Sequence, residues 1–209
     1  MINSRDIENR LKNAYDTYIH IVCPMIMQLE DLTSSFPVSI LNEIRAFTTH
    51  TAKISLANEI SIKEDNLIKA ERHVKRMLLD CYKYMCIAYD DKYKEYQNLY
   101  KNVDLSIIDN GNFLRKLISD KKKVADKIHN VRLEELSIEN NEQHIFEHYE
   151  EAYNMYSELI IFIESHLTLL DEAKHKYTRR TVVNYIFGFV GVVGTIFTII
   201  SLFLQIFYS

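Results

Sequence analysis

No charged residue occurs between Thr181 and Tyr208, a run of roughly 28 positions dominated by Val, Ile, Phe and Leu. A helix of about 20 apolar residues crosses the core of a bilayer, so this run is long enough to span it. The basic residues that precede it are Lys174, Lys176, Arg179 and Arg180. Because cytoplasmic flanks carry an excess of Lys and Arg, the sequence predicts a single-pass, tail-anchored protein of the inner membrane. Residues 1–178 are expected to lie in the cytoplasm and residues 179–209 to form a C-terminal transmembrane anchor.

All 25 Lys and Arg residues and all 29 Asp and Glu residues lie before Thr181, which leaves this part of the chain mildly acidic. A nucleic-acid groove would need clustered basic residues, and none is evident. The three cysteines, Cys23, Cys81 and Cys86, form no C-x-x-C motif and are expected to be reduced and mostly buried. The sequence contains no Gly-rich phosphate loop, nucleotide fingerprint or metal cage, so no cofactor is expected.

Helix breakers are rare, with two prolines in the chain and Gly111 the only glycine before the predicted anchor. The sequence therefore predicts an all-α fold, an elongated bundle of about five long helices followed by a single C-terminal transmembrane helix. Pro24 should kink or end the first helix, and Pro37 should begin the second. Ser61 and Glu64 match a capping box for the third. The predicted helices cover about residues 4–29, 37–56, 61–102, 112–136 and 139–173.

Tyrosines are concentrated on the third and fifth predicted helices. Those singled out are Tyr82, Tyr84, Tyr89, Tyr93, Tyr96, Tyr100, Tyr149, Tyr153 and Tyr156. A shared aromatic seam predicts that the two helices pack antiparallel, as in a coiled coil, with the hydroxyls reaching solvent. A ligand-stacking surface is the alternative. The charge runs around Asp90 and Lys121 are interpreted as solvated helix faces.

Within the predicted anchor, small and polar residues recur in steps of four and three, which places them on one stripe of a helix. The stripe consists of Asn184, Gly188, Gly191, Thr195, Thr198, Leu202 and Gln205. Small residues allow backbones to approach closely, and buried amides need hydrogen-bond partners in hydrocarbon, so the stripe predicts a homo-oligomer. The same residues could instead line a pore, or lie at the interfaces without any partner.

Arg45 and His50 form an R-x4-H pattern inside the second predicted helix, within the segment FPVSILNEIRAFTTH. This segment resembles the Arg-and-His helix of HEPN domains, which are helical bundles. The resemblance covers about residues 36–90 and implies a catalytic pair that cuts RNA in a cleft shared by two protomers. His50 would transfer protons and Arg45 would stabilise phosphate charge. The purely structural alternative pairs Arg45 with a carboxylate such as Glu71 or Asp80.

The segment from His144 to His148 matches H-x-x-E-H, in which two histidines four positions apart share a helix face and Glu147 could act as a base. Zinc chemistry also needs a third ligand, normally well downstream on another helix, whereas the downstream candidates here lie along the same helix: Glu158, Glu164, His166 and Asp171. The pair is therefore interpreted as ordinary helix-surface residues, and no metal is expected.

Three functions remain open. The first is a membrane effector that oligomerises through its bundle and anchor and perturbs or permeabilises the inner membrane. Its architecture resembles the small transmembrane effectors of bacterial antiphage systems, which implies a role in antiviral defence and a cytosolic protein partner or trigger. The second is a membrane-tethered HEPN-type RNase, and the third is a non-catalytic scaffold or adaptor.

Overall fold

The computed structural model describes residues 3–136 and 142–177, and this part of the chain is all-α, as predicted. Its helices are α1 (Ser4–Thr17), α2 (Cys23–Thr33), α3 (Val38–Leu56), α4 (Ile60–Leu99), α5 (Asn112–Glu135) and α6 (Glu142–Glu164). Residues 167–177 are helical again after a short break. The predicted anchor lies outside the described residues, and no helix within them has the length and apolarity needed to cross a bilayer.

The first predicted helix is in fact two helices, joined by a π-helical turn over Tyr18–Val22. Pro24 has no N–H to donate to the carbonyl of His20, and its ring would crowd that carbonyl in a regular helix. The wider turn resolves this conflict, because the N–H of Cys23 donates to the carbonyl of Tyr18, five residues back. The chain thus continues from α1 into α2 without leaving helical backbone geometry.

Other helix ends agree with the sequence only in part. α3 begins directly after Pro37, as predicted. α4 begins at Ile60, so Ser61 lies inside the helix and the predicted capping box with Glu64 is wrong. A complete capping box occurs instead at the start of α1, between Asn3 and Asp6.

The predicted turn between α4 and α5 is present and contains a short 3-10 helix, Leu105–Gly111. The side chain of Asp104 caps it, since Oδ1 accepts the N–H of Ser106 at 3.0 Å. The chain then reverses through positive φ angles at Asp109 (46°), Asn110 (53°) and Gly111 (83°). The first two belong to the residue types that tolerate this conformation, and glycine adopts it at no steric cost.

The described residues divide into two compact units. Unit 1 contains Met1–Glu95 and Asp120–Ile161, and unit 2 contains the described parts of Tyr96–Ser119 and Phe162–Ser209. Each is described here by itself.

In unit 1, consecutive helices alternate in direction. The α1–α2 segment runs parallel to α4, because Arg10 contacts Glu71 and Gln28 contacts Tyr89, both at a separation of 61 positions. α3 runs antiparallel to α4, because the contacting positions descend on one helix as they ascend on the other: Glu43 meets His73, and His50 meets Asn66.

The tyrosine-rich helices α4 and α6 are parallel, so the predicted antiparallel packing is wrong. Lys75 contacts Gln143 and Tyr82 contacts Glu150, again at a constant separation, here 68 positions. Since α5 lies between them in sequence and reverses the chain, the helices on either side of it must point the same way. The aromatic seam itself is confirmed, with the rings of Tyr82 and Tyr153 centred 5.3 Å apart.

Five tyrosine hydroxyls of these two helices and their ends donate to carboxylates instead of pointing freely into solvent, namely those of Tyr82, Tyr96, Tyr100, Tyr149 and Tyr156. The hydroxyl of Tyr89 instead accepts from the amide of Gln28. Tyr82 donates to Glu150 at 3.0 Å and Tyr156 to Asp90 at 2.7 Å. Both rings are buried. Burial, with the adjacent carboxylate as a further cause, raises the pKa of both phenols above the ordinary value.

Asp90 and Lys121 join α4 to α5 inside unit 1, which corrects the interpretation of both as solvated charges. Lys121 contacts Asp90, donates to the hydroxyl of Tyr156 at 2.8 Å, and lies 4.6 Å from the ring centre of Tyr93. Lys94 donates to the other oxygen of Asp90 at 2.8 Å. Partial burial by itself raises the pKa of Asp90, but the hydrogen bonds from Lys121, Lys94 and Tyr156 outweigh it and hold the pKa well below the usual range.

In unit 2, the helical stretch 167–177 contacts Tyr100, just after α4, and the end of α6 packs against the start of α5. Tyr100 donates to Asp171 at 2.7 Å, and the ammonium of Lys174 lies 5.6 Å from the centre of the same ring. Phe113 stacks on Phe162 with ring centres 5.3 Å apart. Leu170 and Ala173 are buried in this unit.

We expect Asp90→Asn to lower the free energy of unfolding by about 1–3 kcal/mol, because Lys121 loses its charged partner in a partly buried network. Asp91→Asn is the matched control, since Asp91 is well exposed and, among the described residues, pairs only with Lys94. Urea unfolding followed by circular dichroism measures both. Equal effects of the two substitutions would contradict the assigned role of Asp90.

The same network predicts a pH dependence. A carboxyl whose pKa is lowered by folding stabilises the fold fully above its ordinary pKa of about 3.9, and this contribution is lost progressively as pH falls from there through the lowered pKa of the folded state. Wild type should therefore lose more stability than Asp90→Asn between about pH 5 and pH 3. If the free energy of unfolding fell equally for the two proteins over this pH range, the prediction would be contradicted.

Burial raises the pKa of the thiols of Cys81 and Cys86 to about 12, so almost no thiolate exists at neutral pH. Cys23 is half-buried, and all three thiols are free. We expect iodoacetamide to label Cys23 first in the native protein and the other two only after denaturation. Peptide mass spectrometry checks this order, and early labelling of Cys86 would contradict it.

Candidate functional site

Two histidines lie side by side where α3 and α4 cross in unit 1. The rings of His50 and His73 are stacked, with centres 5.3 Å apart and planes 13° apart. Each ring has its own polar partner on the opposite helix. His50 Nδ1 lies 2.9 Å from Asn66 Oδ1, and His73 Nδ1 lies 2.6 Å from Glu43 Oε2. We refer to Glu43, His50, Asn66 and His73 as the histidine-pair site.

Helix geometry explains why these four side chains meet. Glu43 and His50 are seven positions apart on α3, and Asn66 and His73 are seven apart on α4. Seven residues make two turns, so each pair lies on one face of its helix. Because the helices are antiparallel, Glu43 of α3 meets His73 of α4. Two turns further along α3, His50 meets Asn66, which lies two turns earlier on α4.

The hydrogen bonds assign the tautomers. The Asn66 amide nitrogen donates to the carbonyl of Ile62 at 2.8 Å, so its oxygen faces His50 and accepts. A carboxylate can only accept, so His73 donates to Glu43 through Nδ1. When neutral, both imidazoles therefore carry the proton on Nδ1 and the lone pair on Nε2.

This arrangement suits proton transfer. An imidazole held by a carboxylate through Nδ1 presents a fixed basic Nε2, which is the orientation used by general bases. The side chains of His73 and Glu43 are 18% and 22% exposed, so the pair is sheltered from water but not sealed off. The second imidazole, parallel and adjacent, could serve as the matching acid.

Arg45 is exposed on α3 and forms no ion pair with any described residue. The alternative in which Arg45 pairs with Glu71 or Asp80 is therefore wrong for both carboxylates. Glu71 pairs with Arg10 at 2.6 Å, and Asp80 is hydrogen-bonded to Ser39. Burial raises the pKa of Asp80 above its ordinary value, and the Ser39 bond only partly offsets this. Arg45 thus remains available for an anion, although no described contact joins it to His50.

Sequence reasoning identified His50 and missed His73, Glu43 and Asn66. The R-x4-H pattern lies within α3 and contains no information about α4. The shared seven-residue spacing of Glu43–His50 and Asn66–His73 was a usable signal, but only once antiparallel pairing of these two helices was assumed.

The H-x-x-E-H residues occupy the start of α6. His144 and His148 face Glu134, close to the end of α5, and their Nδ1 atoms lie 3.3 Å and 2.9 Å from its Oε2. Glu147 is exposed and accepts the amide of Gln143 at 2.6 Å. Glu134 lies upstream of the motif, on α5, and the H-x-x-E-H pattern carries no signal for a partner at that position.

The residues predicted to pack the membrane helix lie outside the described residues: Asn184, Gly188, Gly191, Thr195, Thr198 and Gln205. The same holds for Arg179 and Arg180. Of the residues predicted to set topology, Lys176 is exposed and Lys174 is half-buried against Tyr100.

Three comparisons with known proteins give no relative on which to base a function. No family model matches the chain. No curated protein and no solved structure is significantly similar to it.

Proposed function

We propose that this protein is a membrane effector, anchored through residues 179–209, that oligomerises through its helical bundle and anchor and perturbs or permeabilises the inner membrane. The observation that carries the proposal is the uncharged segment Thr181–Tyr208, with its stripe of small and polar residues. A segment that served only as an anchor would have no need of this periodic stripe.

The packing of unit 2 supports a mechanical link between the folded part and the anchor. Residues 162–174 come just before the basic flank, and they are fixed by the Tyr100–Asp171 hydrogen bond and the Phe113–Phe162 stack. A rearrangement of this unit would therefore act directly on the chain that enters the predicted membrane segment. A free linker at this position would transmit no such change.

Clustering in the cytoplasm supplies the driving force in this mechanism. Tethered anchors have a high effective concentration, so helix contacts of about 0.6–2 kcal/mol each are sufficient for association. Asn184, Thr195, Thr198 and Gln205 would then exchange lipid or interfacial contacts for contacts between helices. If the associated helices enclose water, these uncharged side chains give a pore of weak ion selectivity.

The role in antiviral defence belongs to the same proposal and rests on the architecture, a helical domain joined to one membrane helix. In this mechanism a cytosolic protein or a phage component binds the bundle and promotes clustering. A passive scaffold or adaptor shares the architecture but does not depend on the stripe.

If the protein is a membrane effector, bacterial cells that express the wild-type chain should lose their membrane potential. Gly188→Leu/Gly191→Leu should abolish the depolarisation by blocking close approach of the helices. Val190→Leu/Val193→Leu, on the opposite face of the same helix, is the matched control and should behave as wild type. A potential-sensitive dye at equal protein levels measures all three.

Two outcomes would contradict the effector. Depolarisation that persists with both glycines replaced would remove the role of the stripe. Full activity with a poly-Leu segment in place of Thr181–Tyr208 would identify a tethered scaffold, since only the location would then matter.

A membrane-tethered HEPN-type RNase is the second candidate, and it is favoured by the exposed guanidinium of Arg45, which pairs with none of the residues that the structure describes. Together with the fixed tautomer of His50, it offers an anion-binding group and a proton-transfer group on one helix. A second protomer would complete the cleft by supplying the same two residues.

If the protein is an RNase, the purified chain should cleave total RNA, and His50→Gln should lower the rate of cleavage at least about 100-fold. Glutamine keeps a donor for Asn66 but cannot act as a base, so folding should be preserved. His175→Ala, an exposed histidine of unit 2, is the control. Unchanged cleavage by His50→Gln would exclude this candidate.

A further inference from the structure

A cluster of three potential metal ligands joins α5 to α6 in unit 1. Glu134 lies on α5, and His144 and His148 lie one turn apart on α6. One ligand atom from each residue can be chosen so that all three lie within 4.8 Å of one another. The two histidine rings are centred 3.9 Å apart and face the same carboxylate.

The Nδ1 atom of His148 is the most informative atom in this cluster. It is buried and makes no hydrogen bond within the described part of the chain, although it lies 2.9 Å from Glu134 Oε2. A protonated histidine at this distance would normally direct its N–H at the carboxylate. If Nδ1 of His148 instead carries a lone pair, this nitrogen and the Glu134 oxygen can both point toward one centre. Two ligands that share a cation are arranged in this way.

We propose that Glu134, His144 and His148 bind one divalent ion of the zinc class, through Oε2 and the two Nδ1 atoms. Ligands at about 2.0–2.2 Å from a tetrahedral zinc stand about 3.3–3.6 Å from each other. The two nitrogen–oxygen distances, 3.3 Å and 2.9 Å, reach that geometry with small side-chain rotations. The fourth position is left for water.

The donor set also decides which ion is bound. Two imidazoles and one carboxylate suit zinc and its neighbours among the transition metals, whereas calcium and magnesium prefer oxygen ligands alone. Access is open, because the side chain of His144 is 52% exposed. Glu147, exposed and bonded to Gln143, takes no part in the proposed coordination.

The bound ion would fasten α6 to α5. Metal bound only by the folded state adds its binding free energy to stability, so zinc should raise the unfolding temperature. This inference is independent of the proposed effector, since it involves neither the anchor nor the histidine-pair site.

Zinc titration of the full chain tests the site, with the protein purified in detergent and stripped of metal by a chelator. We expect one zinc per chain in isothermal titration calorimetry. His148→Gln and Glu134→Gln should each weaken binding at least about tenfold. His129→Ala is the matched control, an exposed histidine of α5 outside the cluster, and it should bind as wild type.

Two further readouts separate a metal site from an ion pair. Cobalt should give the visible absorption of a tetrahedral complex in wild type and lose it in both ligand variants. Zinc should raise the melting temperature of wild type and of His129→Ala, and leave that of His148→Gln unchanged. Both glutamine replacements keep the size of the side chain, and circular dichroism verifies that they fold.

Absence of zinc binding by wild type would overturn the proposal and identify the cluster as an ion pair of Glu134 with a protonated His148. Equal weakening by His129→Ala would overturn it as well, since it would mean non-specific binding to surface histidines.

Discussion

Helix α4 is the element on which unit 1 depends, because described contacts connect it to each of the other five helices. Arg10 of α1, Gln28 of α2, Glu43 of α3, Lys121 of α5 and Glu150 of α6 all contact it. Its residues Leu67, Ala70, Met77, Cys81 and Met85 are completely buried. An isolated helix of this polarity would not be stable by propensity alone, so burial of this face by its neighbours holds the fold together.

The polar contacts around α4 set the register of the helices that pack on it. An apolar seam alone would tolerate a shift by one heptad, whereas a charged pair such as Asp90 and Lys121 is satisfied at one register. The tyrosines combine both functions. Their rings add to the apolar seam, and their hydroxyls reach a carboxylate on a facing helix, as Tyr82 reaches Glu150.

The two histidine clusters differ in chemistry although both join two helices. At the histidine-pair site, Asn66 and Glu43 accept from Nδ1, which fixes both rings and leaves Nε2 as the basic atom. At the α5–α6 cluster, the Nδ1 atoms themselves face the carboxylate. The first arrangement suits proton transfer and the second suits metal binding, so the same residue type occupies two different chemical environments in unit 1.

Periodicity and rare helix breakers are local properties, so the sequence was enough to predict that the described residues are all-α, to place most helix bounds and to expect the burial of Cys81 and Cys86. It also pointed to His50 as a candidate site residue, whereas it gave no reason to regard His144 and His148 as more than ordinary helix-surface residues. Only the tertiary structure decided that α4 and α6 are parallel, that Asp90 and Lys121 face inward, and that Glu43, His73 and Glu134 complete the two clusters. These outcomes depend on which helix faces meet, and that choice is made by contacts between residues 10 to 68 positions apart in the chain.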